Sequence, residues 1–282
     1  KTDADTYHWG DTGQIERKGI SEGEVGVENL TWETALKMNL GVELGLWNEL
    51  ELQVDVFKEK RTNIFMQRKI IPSQTGFLTN PWANFGEVTN RGVEFSLNYS
   101  KQINKDWFIG FRSNFTYAIN RVDEYDEPES VVGTYKGLTG RSLNTLWGLQ
   151  AERLFTADDF DADGNVRAEL PQPQGKKYPG DIKFADLNGD NIIDNDDQTK
   201  IGNPKRPAYT FGLNLGGEYK GFFASMNWTG AAQCDIEMAN AYKRPFYEGQ
   251  VLYQYMADGR WTPETAATAV YPRLSVSSTA NQ

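Results

Sequence analysis

The chain has almost none of the residues that build most catalytic and metal centres. It has one cysteine, Cys234, so no disulfide can form within it. It has one histidine, His8, which excludes any site that needs two histidine ligands. No serine or cysteine motif supports His8 as a catalytic base, and no paired acid and base stand out elsewhere. We therefore expect the chain not to be an enzyme.

Other absences narrow the class of protein. No run of 18 apolar residues is present, so no transmembrane helix is predicted. The sequence has no signal peptide at its start and no glycine-rich phosphate loop. A net charge of -10 disfavours nonspecific nucleic-acid binding. The chain starts at KTDADTYHWG and stops at VSSTANQ. Neither resembles a natural end, and we expect a fragment.

Aromatic residues are abundant, and acidic residues are concentrated in one segment. Aromatics make up 13% of the chain, with eight Trp and thirteen Tyr, which argues against disorder despite a mean hydropathy of -0.61. Residues 157–197 hold eleven Asp or Glu against four Lys or Arg. That excess predicts cation binding in this segment rather than a generally acidic surface.

Alternation of apolar and polar residues with a period of two predicts three β-hairpins. The first joins LKMNLGVELGLW to LELQVDV through a turn at Asn48–Glu49. The second joins GVEFSLNYS to WFIGFRSNFTYAI through Asn104–Asp106, and the third joins AYTFGLNLGGEY to FFASMNW through Lys220–Gly221.

The connections favour an all-β, antiparallel transmembrane β-barrel segment. The turns within hairpins are short, whereas those between hairpins are long: about 67–87, 121–206 and everything after 232. This asymmetry is typical of outer-membrane barrels. Aromatic residues near the strand ends fit the interfacial girdles of such barrels: Trp47, Tyr99, Trp107, Tyr117, Tyr219 and Trp228. A soluble sandwich with one wet face also alternates. However, apolar faces of nine to twelve residues exceed the usual five or six of its strands.

The barrel hypothesis assigns a face to each residue and a side to each turn. Lipid-facing residues would include Leu40, Val54, Phe95, Phe111 and Leu213. Lumen-facing residues would include Glu43, Asp55, Glu94, Arg112 and Asn214. The three short turns would be periplasmic, and 121–206 would be a long extracellular loop region.

Four phrases, in order, resemble the SusC-like branch of TonB-dependent transporters. They are ENLTWETALKMNLGVELGLWNELELQVDVF, WANFGEVTNRGVEFSLNY, GDIKFADLNGDNIIDNDDQTKIGNPKRPAYTFGLNLGGEYKGFFASM and GRWTPETAATAVYPRL. The third is the most specific, and together they cover most of residues 29–274.

The resemblance implies that residues 1–282 are part of a 22-stranded outer-membrane barrel, without the N-terminal plug, the TonB box and the final strand. It also implies a SusD-like surface lipoprotein that acts as a lid, and energy supplied through TonB.

The stretch DLNGDNIIDNDDQ predicts a structural calcium loop at 186–197. Its oxygen donors follow the EF-type order: Asp186, Asn188, Asp190, the carbonyl of Ile192, Asp194 and Asp197. Ile193 would be the buried anchor. Two features depart from that pattern, since position six is Asn191 rather than Gly and position twelve is Asp rather than Glu. The alternative is a polar turn rich in Asp and Asn.

A second acidic cluster, Asp159-x-Asp161-x-Asp163-Gly164, has only the first half of such a loop, since Arg167 and Leu170 occupy its ninth and twelfth positions.

Two functions remain open at this point. The first is active import of a bulky nutrient, an oligosaccharide or an oligopeptide, across the outer membrane. The second is a secreted, calcium-dependent carbohydrate-binding or adhesive β-domain, which would not need detergent. Aromatic residues expected in loops could stack on substrate, or could equally pack the loops together: Trp82, Trp147, Tyr242 and Tyr247.

Overall fold

The computed structural model describes residues 6–9, 15–18, 25–77, 79–249 and 251–275, with the backbone alone for 6–9, 15–18, Ser73 and Ala241. The side chain of His8 and most of the two terminal stretches quoted above therefore lie outside the described residues. The chain divides into two compact units. Unit 1 comprises Lys1–Leu143 and Ala208–Ala232, and unit 2 comprises Asn144–Pro207 and Gln233–Gln282.

Unit 1 is built around one antiparallel sheet of six strands. A separate antiparallel pair of strands precedes it, β1 (Thr6–Trp9) and β2 (Ile15–Lys18). The first four strands of the sheet are β3 (Thr34–Leu46), β4 (Leu50–Gln67), β5 (Trp82–Asn104) and β6 (Trp107–Glu124). The other two, which follow unit 2 strands in the chain, are β13 (Tyr209–Tyr219) and β14 (Phe222–Ala232). The order across the sheet is β14-β13-β6-β5-β4-β3, which confirms the all-β, antiparallel prediction.

The three predicted hairpins form with their predicted turns. Leu46 pairs with Leu50 across a turn in which Trp47 and Asn48 have positive φ, of 58° and 56°. Lys220 and Gly221 also have positive φ, of 50° and 83°, so the β13–β14 turn matches the right-handed twist of the strands it joins. Asn48 and Gly221 are of the residue types that tolerate this backbone region, whereas Trp47 and Lys220 are of types that rarely adopt it.

Strand β5 begins earlier than the sequence indicates. We expected a connection over about 67–87, but the structure has a shorter one, 68–81, and β5 starts at Trp82. The first part of β5, WANFGEVTNR, has polar residues at both odd and even positions. It therefore lacks the apolar and polar alternation that identifies a strand. It pairs with the end of β4 across a bulge between Arg61 and Ile64, where Asn63 has a φ of 57°.

Unit 2 consists of short elements and long irregular segments. Its strands are β7 (Leu146–Leu149), β8 (Ala151–Leu154), β9 (Gln172–Pro173), β10 (Ile182–Phe184), β11 (Ile192–Ile193) and β12 (Gln198–Gly202). They form three two-stranded pairs, β12 with β7, β10 with β8, and β11 with β9. Its helices are α1 (Asn240–Lys243) and α2 (Gln254–Gly259), and single 3₁₀ turns occur at Ala157–Asp159, Asn195–Asp197 and Tyr247–Gly249. Unit 1 has one such turn, Ser73–Thr75. Within the described ranges no helix is long and apolar enough to cross a membrane.

Few apolar side chains are buried in either unit. Those in the described part are Val122 in unit 1, and Phe155, Ala185, Ile193 and Met256 in unit 2. The sheet of unit 1 instead exposes large apolar side chains, among them Leu40 at 73% and Phe222 at 82%. A soluble domain rarely exposes so continuous an apolar surface, so this face is an interaction surface.

Candidate functional sites

The six-stranded sheet has one apolar face whose residues stay in register across all six strands. Residues directly opposite one another form rungs, and three consecutive rungs read as follows: Leu44, Leu52, Leu97, Ser113, Leu213 and Trp228; Val42, Val54, Phe95, Phe115, Phe211 and Gly230; Leu40, Val56, Val93, Tyr117, Tyr209 and Ala232. All five residues predicted to face lipid share this face. All five predicted to face the lumen lie on the other. The register therefore confirms the predicted alternation.

Aromatic pairs bound the apolar face at both ends. The rings of Trp107 and Tyr219 lie 4.4 Å apart at the end that carries the short turns. The rings of Tyr117 and Tyr209 lie 4.6 Å apart at the other end. Ten residue steps along β6 separate the two rows, which is about 34 Å of strand. At a strand tilt of about 40° the rows are roughly 26 Å apart in height, close to the band of an outer-membrane barrel.

The polar face carries a row of polar side chains across five strands, which form two hydrogen-bonded groups. Its members are Glu51, Asn98, Arg112, Asn214 and Asn227. The Asn98 amide donates to Glu51 at 3.1 Å, Nε of Arg112 donates to Asn98 at 3.3 Å, and Asn214 donates to Asn227. Such a face needs water or polar partners, as the lumen wall of a barrel does.

A buried carboxylate fixes the connection between β4 and β5. Asp126, 2% exposed, accepts backbone N–H groups from Lys69 at 2.5 Å and Ile70 at 3.1 Å. Nε of Arg68 lies 3.0 Å from the same carboxylate. Burial raises the pKa of Asp126, but the Arg68 hydrogen bond and the two backbone donors outweigh it, so the pKa stays below its ordinary value.

The next residue, Glu127, fixes the segment around Leu138 and Thr139 in the same way. Its carboxylate accepts N–H groups from Leu138 and Thr139, each at 2.9 Å. Burial raises the pKa of Glu127, and hydrogen bonds from these two residues reverse the shift, so its pKa is also lowered. Two adjacent carboxylates thus hold two segments against the end of β6.

The loop 186–197 has an EF-type backbone. Asp186 accepts N–H groups from Gly189 at 2.6 Å and Asn191 at 2.8 Å. Asn191, at position six, has a φ of 66°, which is the conformation that glycine usually supplies there. Ile193 is 5% exposed, as expected of the anchor.

The loop is closed by its last predicted ligand. Asp197, fully buried, accepts from the N–H groups of Leu187 at 2.8 Å and Asp194 at 3.0 Å. Asn188 and Asp190 are hydrogen-bonded to each other. Within the described residues no group of three or more His, Cys, Asp or Glu side chains is arranged to hold a metal. The backbone fits a calcium loop, and the carboxylates bind N–H groups instead of converging.

The second acidic cluster is organised around an arginine. Both oxygens of Asp159 accept from the Arg153 guanidinium at 2.6 Å, and the Thr156 N–H adds a third bond at 2.7 Å. The hydrogen bonds from Arg153 are the largest of the effects that hold the pKa of Asp159 far below its usual range. With its charge already neutralised, Asp159 is a poor calcium ligand.

A buried ion pair organises the rest of unit 2. Asp181, fully buried, lies 2.7 Å from Nε of Arg273, whose guanidinium sits 4.6 Å from the ring centre of Tyr178. Gly180, with a φ of 89°, packs so closely under Trp261 that an added Cβ would lie 2.5 Å from the ring. The ion pair of Asp181 and Arg273 joins residues 92 positions apart, and no local pattern in the sequence predicts it.

Two of the four aromatic residues proposed to stack on substrate, Trp82 and Tyr242, stack on other aromatic rings of the chain. Trp82, expected in a loop, is instead the first residue of β5, and its ring stacks on Phe65 at 5.2 Å. Trp147 lies on β7, and Tyr247 lies in the single 3₁₀ turn after α1. Tyr242, 49% exposed, begins a row of tyrosine rings that continues through Tyr253, Tyr255 and Tyr271.

Comparison with known proteins identifies the family of this sheet. The family model for TonB dependent receptor-like β-barrels matches residues 5–271. Two TonB-dependent receptors of Formosa agariphila are similar to the chain. One is 27% identical over 91% of this chain and 26% of its own length, and the other is 32% identical over 73% and 22%. The TonB-dependent receptor SusC of Bacteroides thetaiotaomicron is 28% identical over 69% of this chain and 19% of its own.

Solved structures of the RagAB peptide transporter share the fold. One has a TM-score of 0.59 at 20% identity and covers 99% of this chain and 30% of its own. Its "open-open" state gives a TM-score of 0.61 at 19% identity. The chain thus spans 19% to 30% of the length of these proteins.

The lowered pKa of Asp126 predicts an acid-sensitive attachment of residues 68–70. A carboxyl with a depressed folded pKa stabilises above its unfolded pKa of about 4, and that stabilisation is lost as the pH falls through the folded pKa. In hydrogen exchange corrected for intrinsic rates, the amides of Lys69 and Ile70 should be protected at pH 6 and should lose protection towards pH 3. Asp126→Asn removes the charged acceptor of these two hydrogen bonds. It should therefore lower the protection factors of both amides by roughly 10- to 100-fold even at pH 6.

The matched control is Glu129→Gln, because Glu129 is exposed and lies three residues away. Glu129→Gln should leave the hydrogen-exchange protection of the Lys69 and Ile70 amides as it is in the unmodified protein. Equal protection in Asp126→Asn and the unmodified protein at pH 6 would contradict the assignment.

Proposed function

The chain belongs to the TonB dependent receptor-like β-barrel family, and from that membership we propose that it forms wall and rim of an outer-membrane active transporter for bulky nutrients. The chain is a segment of an antiparallel outer-membrane β-barrel. The observation that carries the proposal is the six-stranded sheet, whose apolar and polar faces stay in register between two aromatic rows. This favours the barrel over a secreted carbohydrate-binding domain, which has no use for a broad apolar face. In this proposal the chain has no catalytic role.

The partners of the proposed transporter follow from its relatives. SusC and RagAB are similar to the chain, and RagAB is a peptide importer. We infer that the cargo is an oligopeptide or an oligosaccharide, that a SusD-like surface lipoprotein covers the barrel, and that TonB supplies energy. These are properties of a whole transporter, of which this chain is a part.

Uptake by the complete barrel tests this function. In cells that depend on the transporter for a peptide or glycan mixture, loss of the barrel should stop uptake, and so should loss of TonB alone. A tagged barrel should also co-purify with a surface lipoprotein. The control is growth on a monosaccharide or free amino acids, which small pores admit. Uptake that continues without TonB would overturn the energy source, and uptake that continues without the barrel would overturn the function.

The connection lengths support one orientation of the barrel. The turns β3–β4, β5–β6 and β13–β14 take two or three residues and lie at one end of the sheet. The segments that leave the other end are 68–81, 125–208 and everything after 232. Barrels of this class place short turns in the periplasm and long loops outside. We propose that the long-loop end, with residues 121–206, is extracellular.

Surface labelling of intact cells tests the orientation. An epitope inserted at Gly164, a turn residue with a φ of 76° and no neighbouring atom within 4 Å of an added Cβ, should be labelled on intact cells. One inserted at Asn48 should be labelled only after the outer membrane is permeabilised. The reverse pattern would invert the barrel, and labelling of both on intact cells would contradict a membrane-spanning sheet.

We also propose that loop 186–197 binds one structural calcium ion. Asp186, Asn188, Asp190, Asp194 and Asp197 would supply side-chain oxygens, and Ile192 its carbonyl. The left-handed Asn191 and the buried Ile193 support the proposal, because the motif needs a sharp turn at its sixth position and an apolar anchor at its eighth. Several carboxylates in one short loop repel one another, and a divalent cation would remove that repulsion.

Calorimetric titration tests the calcium proposal. The unmodified protein should bind one ion, and Asp186→Ala with Asp190→Ala should abolish the binding and raise protease cleavage within 180–205. Melting of the barrel should barely change, because its strand ladders do not involve the loop. The matched control is Asp161→Ala with Asp163→Ala, which removes two carboxylates from the second cluster and should leave calcium binding intact. No binding heat from the unmodified protein at millimolar calcium would leave the stretch as an Asp-rich turn.

A further inference from the structure

Two cations stand directly opposite each other on the apolar face of the sheet. Lys58 on β4 pairs in register with Arg91 on β5, one rung beyond Val56 and Val93. No bulge occurs in either strand between these rungs, so Lys58 and Arg91 share the face of the apolar band. Both side chains are exposed.

In the part of the chain that the structure describes, no carboxylate pairs with either cation. Neither Lys58 nor Arg91 makes a salt bridge or side-chain hydrogen bond with any residue of the described ranges. On their own rung they are flanked by Met38 and Ile119. Like charges directly opposite on neighbouring strands are destabilising, so the pair costs stability unless something else supplies an anion.

The nearest acids on this side of the strands are already engaged. Glu87 lies 2.7 Å from Lys60, and Asp123 accepts the hydroxyl of Thr89. Both lie farther from the apolar band than Lys58 and Arg91 do. The pair therefore presents two uncompensated positive charges towards whatever surrounds the barrel.

The position of the pair relative to the band points to the anion. Tyr117 and Tyr209 end the band on β6 and β13, and Lys58 and Arg91 lie one rung past them, about 7 Å along the strands, between Met38 and Ile119. Aromatic rows sit at headgroup level, and long basic side chains just beyond them reach the headgroups. In the orientation proposed above, this end is in the outer leaflet.

We propose that Lys58 and Arg91 form a binding site on the outer wall for the phosphate groups of an anionic glycolipid headgroup of the outer leaflet. The guanidinium offers a planar fork that matches two phosphate oxygens, and the ammonium adds a point charge from the adjacent strand. The site anchors lipid to the wall and plays no part in the passage of nutrient. It rests on the proposed orientation and is independent of cargo and of TonB.

Lipid binding to the complete, delipidated barrel in neutral detergent tests the site, with native mass spectrometry as the readout. The probe is diphosphoryl lipid A. Lys58→Gln with Arg91→Gln should weaken binding by roughly 30-fold, since each basic side chain at a charged lipid surface contributes about fivefold. The charge-preserving exchange Lys58→Arg with Arg91→Lys should retain most of the affinity. Unchanged heat-modifiable mobility on gels shows that each variant is folded.

Two controls show whether binding is specific to this pair of cations and to a lipid. Lys101→Gln removes a cation from the same face near the other aromatic row, where Lys101 pairs with Glu49 at 2.9 Å, and should leave binding unchanged. Inorganic phosphate at millimolar concentration should not displace the lipid. Wild-type affinity in the double Gln variant, an equal loss in Lys101→Gln, or displacement by phosphate would each overturn the proposal. Failure of nutrient uptake would not affect it, because binding is measured without transport.

Discussion

The structure depends on one constraint: in all six strands, the apolar residues must lie on the same face of the sheet. Side chains alternate faces along a strand, so a slip of one residue in any ladder would move that strand's whole apolar set to the polar face. From Leu40 to Leu46 on β3, and through every rung to β14, no such slip occurs. Within the six-stranded sheet, register shifts appear only at or beyond the aromatic rows, between Arg61 and Phe65, between Glu87 and Val88, and between Gln102 and Asn104. The ladder is regular over the span where an error would bury charge in lipid, and it relaxes where water is available on both faces.

That same constraint explains which parts could be predicted from the sequence. Alternation is a local signal, so the hairpins, their turns and the two faces follow from the residues alone. The start of β5 does not, because between Trp82 and Arg91 neither face has to be apolar, and pairing with the bulged end of β4 decides the structure. The calcium-loop stretch shows its donor order in the sequence, and its backbone adopts the expected turns. Whether an ion draws the carboxylates together depends on energies that a donor order does not contain.

The contacts that organise the long segments are invisible in the sequence for a different reason. Asp126 accepts from Lys69, 57 residues away, and Asp181 meets Arg273, 92 residues away. Neither pair has a period or a motif, and each partner alone is an ordinary charged residue in a polar stretch. Such pairs are decided by the tertiary path of the chain. A single sequence can indicate that acidic residues are concentrated here, but not which one will be buried.

These contacts share one physical logic. The described loops bury few apolar side chains, so the hydrophobic effect supplies little to offset the entropy of ordering them. They bury carboxylates instead: Asp126, Asp159, Asp181 and Asp197 are all less than 9% exposed. Each accepts at least one backbone N–H, and all but Asp197 also hold an arginine. A buried carboxylate with several donors is costly to lose, because the donors are then left unsatisfied away from water. Asp197 is the exception, since no arginine neutralises it and it lies within the one loop whose donor order suits a divalent cation. The calcium ion proposed for that loop would supply the positive charge that an arginine supplies to the other three carboxylates.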